Sequence, residues 1–515
     1  MINNNPLDYI EQTVAVEDLL IAGVSRKLRN DIGYDLVYLS SPNDFELTTG
    51  ATGSGLKFIG GTTHRLPIQS DWTQLTFISS VANQIVYVVY AELTTYQPVE
   101  LSTDSRNYVS RIGFLNTDAL TTGTFTRAAT TNGAYYYNSV GLLTTAGTNV
   151  PRFDYNPLTL ESKGLLLEQT ATEYITRTET FSNWTGVGIT ATDNTLETLS
   201  PTGQYNASKM EYTSASANRY LLSPGGGAHG STLDAGSIYV KKGNFTNFGF
   251  ELNNWDIASS TILKGTCNLD TGLITYTTGT GSTNIAEQLS NGWWRVGFST
   301  SVGGVSTSRC ALLPGTKSVG ETVGNYCYLF GANVTNTPVV QSYIKNETGS
   351  TTVNRPTDVY TISTSSFGFS TSLGTIYLSF DGNIFDGNSQ TSSRRPLVLL
   401  PPNEYFFIND TSGNPVYSGK SRDSASNVLF WNNPDPVNNK LANRVLNAAL
   451  SFNTQVGLFT GVINNGTAAR QTFAGFTTAG AHVYTFNNQA FQGHIREFKW
   501  FGFAFTDAQL GDLTK

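Results

Sequence analysis

The sequence predicts an all-β protein made of tandem antiparallel β-sandwiches that follow a small N-terminal helix and β module. The 515 residues include 25 Tyr and 29 Phe, which favour strands, and 50 Gly, which favour turns. Charged residues make up 13% of the chain, well below the roughly 25% usual in globular domains. Short apolar runs bounded by Gly, Asn and Pro recur along the chain, as the strands of a sandwich do.

The N-terminal part contains one long stretch with helical periodicity, so a helical anchor is expected over residues 1–33. Apolar residues recur near helical spacing in "IEQTVAVEDLLIAGVSRKL" (residues 10–28), at Ile10, Val14, Leu20, Val24 and Leu28. The period then changes, and "YDLVYL", "LKFIGG", "LTFISS" and "IVYVVYAEL" are typical of strands separated by turns. Residues 34–96 are therefore predicted to form a small β module.

Three further segments complete the predicted organisation. Residues 97–163 hold short apolar pieces and are expected to form an extended connector. Residues 164–360 carry "GSIYVKKG", "GWWRVGFST" and "NYCYLFGANV", which predict one sandwich, and residues 361–515 carry "GTIYLSF", "VGLFTGVI" and "GHIREFKWFGF", which predict another. Each is large enough to bury its own core. The final "FTDAQLGDLTK" is predicted to be a helix, because Thr506 and Gln509 have the spacing of a capping box.

Composition and charge argue against several classes of protein. The net charge is −7 without a long run of either sign, whereas a nucleic-acid binder needs a basic stripe. The three cysteines, Cys267, Cys310 and Cys327, are odd in number and far apart, which fits assembly in a reducing cytoplasm rather than a disulfide framework. The start "MINNNPLDYIEQ" does not resemble a signal peptide, and no apolar stretch approaches the ~20 residues of a membrane span.

One segment resembles a stretch that is common in the virion proteins of tailed bacteriophages. It contains "FTRA", "GLL", "PRFDYNP" and "GLLLE" in that order. The matching residues are Phe125, Arg127, Ala128, Gly141, Leu142, Pro151, Arg152, Asp154, Tyr155, Pro157, Gly164, Leu165, Leu166 and Glu168. The Thr-Asn pair that usually follows the Glu is replaced here by Thr172 and Glu173.

The sequence that follows continues this resemblance. "TFSNWT", "GWWRVGFS", "YLFGANV", "SYIKN" and "NRPTDVYT" are similar to a jelly-roll domain of phage fibre and spike proteins, which itself resembles carbohydrate-binding modules. Residues 361–515 resemble a concanavalin/laminin-G-type sandwich. The resemblance implies a fibre or spike protein of the virion, commonly a homotrimer. Its N-terminal part would attach to other virion proteins, and its sandwiches would bind a host-surface glycan.

The resemblance also implies a structural role for residues 151–175, as a staple between the anchoring part and the two sandwiches. Arg152 and Asp154 are two residues apart, so an extended strand places them on one face. Asn156 precedes a proline, which favours an extended or turn conformation. The apolar run 165–167 is expected to enter a core.

Candidate glycan-binding residues lie where an aromatic side chain stands beside amides and carboxylates at strand ends. "FWNNPDP" contains Trp431, Asn432 and Asn433, and "NNWDIA" contains Trp255 and Asp256. A sugar ring can stack on an indole while neighbouring amides orient it by hydrogen bonds. Packing in a core is the competing interpretation for both tryptophans.

The sequence requires no cofactor, but it contains candidates for structural calcium. "FDGNIFDGNS" repeats Asp-Gly-Asn at Asp381 and Asp386, and "NRPTDVY" contains Asp358. Calcium needs 6–8 oxygen ligands, and neither stretch has the spacing of an EF-hand. Because Asp-Gly is also a hairpin-turn signal, a turn is the favoured interpretation of the repeat.

No catalytic motif is present, so no catalytic residue is assigned and the protein is not expected to be an enzyme. There is neither a G-x-S-x-G nor an H-E-x-x-H sequence. The four histidines, His494 among them, have no ligand spacing and are interpreted as ordinary surface or core residues. A virion adhesin for saccharides is therefore the first hypothesis. The alternatives are a purely structural decoration or collar protein of the particle and, third, a glycan depolymerase.

Overall fold

The structure is a computed structural model in which most of the chain beyond residue 122 is described. It describes residues 9–21, 26–27, 36–40, 45–48, 56–58, 63–67, 76–78, 84–95, 109–113, 123–130, 133–215, 219–225, 233–254, 260–278, 283–301, 310–315, 322–337, 339–349, 351–363, 369–382, 394–399, 404–410, 417–422, 425, 428–432, 445–475, 483–489 and 492–515. The chain divides into two compact units, Met1–Val109 and Ser110–Lys515.

In its described residues, the first unit contains two four-stranded antiparallel sheets. Its strands are β1 (Tyr9–Ile21), β2 (Arg26–Lys27), β3 (Leu36–Ser40), β4 (Phe45–Thr48), β5 (Leu56–Phe58), β6 (Thr63–Pro67), β7 (Thr76–Ile78) and β8 (Gln84–Thr95). The strand orders are β1-β8-β3-β6 and β2-β7-β4-β5.

The helix expected over residues 10–28 is wrong. Strand β1 occupies most of that stretch and pairs antiparallel with β8 from Tyr9 opposite Thr95 to Ile21 opposite Gln84. The physical reason is the partner strand, which is rich in β-branched and aromatic residues and nearly as long as β1. A ladder of this length satisfies the backbone of both strands, whereas an isolated helix of similar length is marginal.

The second unit holds the remaining strands. The first of them are β9 (Val109–Gly113), β10 (Gly123–Thr126), β11 (Ala134–Tyr137), β12 (Leu143–Ala146), β13 (Phe153–Tyr155), β14 (Ser162–Leu167), β15 (Ala171–Glu173), β16 (Thr185–Val187), β17 (Ile189–Thr192), β18 (Ser208–Tyr212), β19 (Tyr220–Leu222), β20 (Leu233–Lys242), β21 (Asn247–Asn254), β22 (Ser260–Asn268), β23 (Ile274–Thr278), β24 (Thr283–Gln288) and β25 (Trp293–Ser301). They continue with β26 (Cys310–Pro314), β27 (Tyr326–Thr335), β28 (Val353–Arg355), β29 (Val359–Ser363), β30 (Leu373–Gly382), β31 (Arg394–Leu399), β32 (Glu404–Asp410), β33 (Tyr417–Arg422), β34 (Val428–Asn432), β35 (Val445–Asn453), β36 (Leu458–Ile463), β37 (Ala469–Thr472), β38 (Val483–Gln489) and β39 (Gly493–Phe501).

The first sandwich packs one large sheet against a four-stranded sheet. The large sheet has the order β17-β18-β27-β20-β25-β24, and β15 and β28 join it beside β27. The smaller sheet has the order β23-β22-β21-β26, and β16 and β19 form a separate ribbon. Phe250 of the smaller sheet stacks on Phe298 of the large sheet with 4.7 Å between ring centroids, inside a continuous apolar core.

The second sandwich is built from two sheets with their own core. One sheet has the order β13-β14-β39-β30-β35-β36-β37 with β9 beside β39, and the other has the order β10-β29-β38-β31-β32-β33-β34. The core packs Trp500 and neighbouring side chains of the first sheet against Phe125 and Tyr360 of the other. The all-β prediction, with antiparallel sheets forming sandwiches, is confirmed.

Residues 97–163, which were expected to form an extended connector, contribute strands to the second sandwich and a hairpin that packs against the first. Strands β10, β13 and β14 belong to sheets of the second sandwich, while the hairpin β11–β12 packs against the first. The boundary expected after residue 163 falls inside β14, and the boundary expected after residue 360 falls inside β29. Leu165 and Leu167 are completely buried in the second core, so the expectation that this run enters a core is confirmed.

The large sheet of the first sandwich is buried on both faces. Trp293 and Trp294 are neighbours on β25 and point to opposite faces, as strand alternation requires. Trp294 lies in the core between the sheets, and its Nε1 donates to the carbonyl of Leu269 at 2.8 Å. Trp293 lies beneath the β11–β12 hairpin, and its Nε1 donates to the carbonyl of Leu199 at 2.9 Å.

The helices in the described part of the chain are short. A 3-10 turn spans Phe181–Asn183, and helix α1 spans Asp507–Leu513. The predicted capping box at the start of α1 is confirmed, since Thr506 and Gln509 bond to each other's backbone. Neither helix has the length or apolar character needed to cross a bilayer.

Candidate functional site

Between β10 and β29 the chain passes from one sandwich to the other at four described points. One charged side chain stands at each of the first three points, and two stand at the fourth. Arg127 follows β10, Arg152 precedes β13, and Glu168 follows β14. Arg355 ends β28, and Asp358 directly precedes β29. These five side chains meet in one buried group, which is called the ionic joint below.

The ionic joint is held by shared carboxylates. Arg127 Nη1 lies 2.9 Å from Asp358 Oδ1, and Arg152 Nη2 contacts the other oxygen of that carboxylate. Glu168 Oε2 lies 2.8 Å from Arg152 Nη1 and 3.0 Å from Arg355 Nη1. All five side chains are at most 5% exposed, so the contacts act in a medium of low polarity.

Neutral groups complete the joint, because three guanidinium groups face only two carboxylates. Arg127 Nη2 donates to the backbone carbonyls of Ala146, Gly147 and Val150. Glu168 accepts from the backbone N and the hydroxyl of Ser342 at 2.7 and 2.6 Å. Burial alone would raise the pKa of Glu168, but the charges of Arg355 and Arg152 outweigh it and hold that pKa well below its usual range.

A second charged group lies nearby, with His494 between two carboxylates. His494 Nε2 lies 2.9 Å from Asp154 Oδ2, and Nδ1 lies 2.7 Å from Asp381 Oδ1. Burial alone would lower the pKa of His494, but the charge of Asp381 and the hydrogen bonds to both carboxylates raise it to about 9. The imidazolium therefore donates to both carboxylates at neutral pH and ties β39 to β30 and β13.

Lys163 extends this charged group to the first sandwich. Its Nζ lies 3.5 Å from Asp154 Oδ2 and 3.6 Å from Glu287 Oε1, and Glu287 belongs to β24. Burial alone would raise the pKa of Asp154, but the Lys163 charge and the His494 hydrogen bond keep it below its ordinary value. The side chains of Lys163 and Glu287 remain about a quarter exposed, 23% and 24%.

A cleft of about 540 Å³ opens at these exposed groups. Its walls include the segment around Tyr136 and residues 154–163, strand β24 of the first sandwich, residues 340–343, and β30 and β39 of the second sandwich. Charged, amide and tyrosine side chains make up much of its lining. The cleft is therefore suited to a polar ligand that contacts both sandwiches.

The structure describes the backbone of two of the five candidate glycan-binding residues. Trp431 and Asn432 end strand β34, where they lie opposite Gly419 and Ser418 of β33. Their side chains, together with Asn433, Trp255 and Asp256, lie outside what the structure describes. The hypothesis of a sugar platform at either tryptophan remains a prediction.

Two of the three calcium candidates have carboxylates that are already bound by cationic side chains of this chain. Two arginines already neutralise the carboxylate of Asp358, and His494 binds the carboxylate of Asp381 through its ring and its backbone N. A cation at either place would meet a competing positive group. Asp386 lies outside the described residues, among which no three His, Cys, Asp or Glu side chains converge on a metal site.

Sequence reasoning missed Lys163, Glu287 and the role of His494. His494 lies 340 residues from Asp154 along the chain, and no motif connects them. Arg152 and Asp154 were expected on one face of an extended strand. The side chains of both are buried, whereas the side chain of Phe153 between them is partly exposed, as that arrangement requires. These residues meet because β14 pairs with β39, and the periodicity of a sequence does not reveal which strands pair.

Comparisons with known proteins return only distant structural similarity. No protein-family model matches the chain, and no curated protein matches its sequence. The carbohydrate-binding module CBM40 of the Ruminococcus gnavus IT-sialidase is similar at 14% identity, over 28% of this chain and 83% of that chain, with a TM-score of 0.22. The same module bound to alpha2,3 sialyllactose is 14% identical over 28% of this chain and 84% of that chain, with a TM-score of 0.22. Bound to alpha2,6 sialyllactose, it is 13% identical over 28% of this chain and 85% of that chain, again with a TM-score of 0.22. A likeness of this extent does not identify a ligand for this chain.

Proposed function

We propose that the protein is a fibre or spike component of a tailed-bacteriophage particle that binds saccharides on the host surface. The observation that carries the proposal is the convergence of the residues on which the phage resemblance rests. Arg127, Arg152 and Glu168 come from the phage-like segment, and Arg355 and Asp358 come from "NRPTD". These five side chains together form the ionic joint.

A joint of this kind suits a protein that must present a binding surface in one orientation. The four passages of the chain between the sandwiches all contribute to a single buried group of charges. A displacement of the sandwiches that separates these partners but leaves them buried would cost several kcal/mol for each ion left without a partner. The two sandwiches therefore hold a defined relative position, and a ligand that contacts both meets a prearranged site.

Binding without covalent chemistry is part of the proposal. Glycoside hydrolysis needs a carboxylic acid that keeps its proton near neutral pH, which requires a raised pKa. In the cleft, His494 and Lys163 lower the pKa of Asp154, which favours the ionised form. This carboxylate is suited to accepting hydrogen bonds from hydroxyl groups and not to donating a proton.

A purely structural role in the particle is the second candidate, and an exposed apolar cluster favours it. Val140, Leu158 and Leu160 are 61%, 46% and 43% exposed. They lie on two adjoining turns, since a Cβ on Gly141 would come within 2.9 Å of the Leu160 side chain. Adjoining exposed apolar residues are typical of surfaces that contact another protein. A neighbouring virion protein or a second copy in a homotrimer would cover them.

Two measurements on the full chain test the proposal. Antibodies against the purified protein should label a fixed position on phage particles in electron micrographs, and particles without label would contradict the virion assignment. The purified protein should bind an array of host-surface glycans without releasing reducing sugar. Labelled particles with no glycan binding would favour the structural candidate, and release of reducing sugar would favour a depolymerase.

A further inference from the structure

We infer that the cleft between the two sandwiches is the saccharide-binding site and that it takes a neutral, hydroxyl-rich sugar. This inference rests on the proposed function and assigns its site and ligand class. The cleft volume of 540 Å³ lies within the ~300–1,000 Å³ usual for small-ligand sites. Its walls belong to both sandwiches, so the ionic joint keeps them in place before a ligand arrives.

The charges around the cleft favour a neutral ligand. Lys163 lies between the carboxylates of Asp154 and Glu287 at 3.5 and 3.6 Å, and His494 lies between Asp154 and Asp381. Each of these cations thus faces carboxylates of this chain, and the two arginines of the lining, Arg295 and Arg496, donate to the backbone carbonyls of Gln341 and Ser162. A site for an acidic sugar would instead present cationic groups free to form charge-assisted hydrogen bonds with the ligand. The paired carboxylates can still accept hydrogen bonds from the hydroxyl groups of a sugar, and the paired cations can still donate hydrogen bonds to them.

Two further side chains complete the chemistry that a sugar needs. Tyr136 is half-buried in the wall of the cleft, and an aromatic ring at such a place can pack against the C–H face of a pyranose. Gln341 also lines the cleft, and its buried Nε2 has no acceptor among the described residues. An amide donor in this state gains from a ligand oxygen within its reach.

Titration of the full chain with defined sugars tests the inference. The neutral probes are the methyl glycosides of glucose, galactose and N-acetylglucosamine, and the acidic probes are methyl glucuronide and sialyllactose. Calorimetry and saturation-transfer NMR should detect binding of at least one neutral probe and weaker binding of both acidic probes. Tighter binding of an acidic probe would overturn the assigned ligand class.

Paired variants locate the site. Glu287→Gln and Tyr136→Ala should each weaken binding about tenfold, the effect of losing one good contact. Glu197→Gln is the matched control, because Glu197 also pairs with a lysine, 2.9 Å away, but lies outside the cleft lining. Tyr205→Ala is the control for the tyrosine, because Tyr205 is 54% exposed and also lies outside that lining.

The outcomes separate this inference from the proposed function. If the wild-type chain binds sugar and both cleft variants bind like their controls, the cleft is not the site while the saccharide-binding function stands. If the wild-type chain binds no neutral or acidic probe and no glycan on the array, the proposed function fails together with the inference. Folding of each variant is checked by circular dichroism. The two cleft variants change different walls of the cleft, so if one variant does not fold, the other variant still tests the site.

Discussion

At the scale of single residues, the ionic joint gathers five buried charges from the passages of the chain between the two sandwiches. A buried ion pair contributes little net stability when compared with an apolar substitute, but removal of one partner is expensive because a charge is left buried without compensation. Asp358 serves two arginines at once, and its carboxylate also accepts the backbone N of Glu168 at 3.0 Å. Removing its charge would therefore leave two buried arginines short of a partner.

We expect Asp358→Asn to lower the free energy of unfolding by ~3–5 kcal/mol, the range measured when one partner of a buried ion pair is removed. Urea unfolding followed by tryptophan fluorescence measures the change. Asp270→Asn is the control, because Asp270 pairs with Lys242 at 2.7 Å on the surface, where the aspartate side chain is 53% exposed. That control should cost at most ~1 kcal/mol. Equal small effects of both substitutions would contradict the role assigned to the joint.

His494 predicts a loss of stability at alkaline pH. Its pKa in the folded protein is about 9, against roughly 6.5 in an unfolded chain. Because the folded pKa is raised, this stabilisation is complete below about pH 6.5 and is lost as the pH rises through 9. The shift corresponds to about 3 kcal/mol at most. Thermal unfolding between pH 6 and pH 10 measures it.

The matched variant for this prediction is H494Q, which can bond to one carboxylate but carries no charge. It should be less stable than the wild-type protein at pH 6, and the difference should shrink toward pH 10. A difference that stays constant across this range would show that His494 is not charged in the folded protein.

At the scale of elements, Gly164 explains how β14 joins the second sandwich. Its φ is +104°, in a region that disfavours side chains, and a Cβ at this position would lie 2.4 Å from the carbonyl oxygen of Ile495 on β39. Strand β14 pairs with β39 from Leu165 opposite Ile495 to Leu167 opposite Gly493. A glycine is needed at this point because any side chain would separate the two strands.

We expect Gly164→Ala to destabilise the protein by ~2–5 kcal/mol, since backbone strain of ~1–2 kcal/mol adds to an overpacking cost of ~1–3 kcal/mol. Gly324→Ala is the control, because Gly324 has a similar φ of +85° but no described atom lies within 4 Å of the place that its Cβ would take. It should show the strain alone. Thermal unfolding of both variants measures the difference, and equal effects would show that the close approach to β39 does not matter.

At the scale of the whole molecule, the two sandwiches have separate cores but depend on one segment. Residues 123–168 contribute Phe125, Leu165 and Leu167 to the second core. The β11–β12 hairpin in the same segment covers the outer face of the first sandwich, where Tyr137 and Tyr239 are joined by a hydrogen bond of 3.1 Å between their hydroxyl groups. Loss of order in this segment would therefore uncover apolar surface on both sandwiches.

We expect the two sandwiches of the full chain to open together. Hydrogen exchange measured by mass spectrometry at increasing urea should give one common opening free energy for peptides from β20 and β30, one strand from each sandwich. In Asp358→Asn, the two peptides should separate, because the joint no longer couples the sandwiches. Different opening free energies in the wild-type protein would instead show two independent domains.

The sequence by itself determined the fold class and many local details of this protein. Aromatic residues between turn residues predicted strands, the spacing of Thr506 and Gln509 predicted the capped helix, and the apolar run at Leu165 predicted entry into a core. These features depend on neighbours within a few residues, so local propensity and periodicity are enough to read them. The same rule failed at β1, because the pairing with β8 outweighed the helical period of residues 10–28.

Only the tertiary structure decided which charged residues meet. Arg152 and Asp358 lie 206 residues apart, and Asp154 and His494 lie 340 residues apart, yet each pair is in direct contact. Their meeting depends on the register of β14 against β39 and on the path of the chain between the two sandwiches. A charged residue at a strand end carries no local signal of its partner, because the partner is chosen by strand pairing over long distances in sequence.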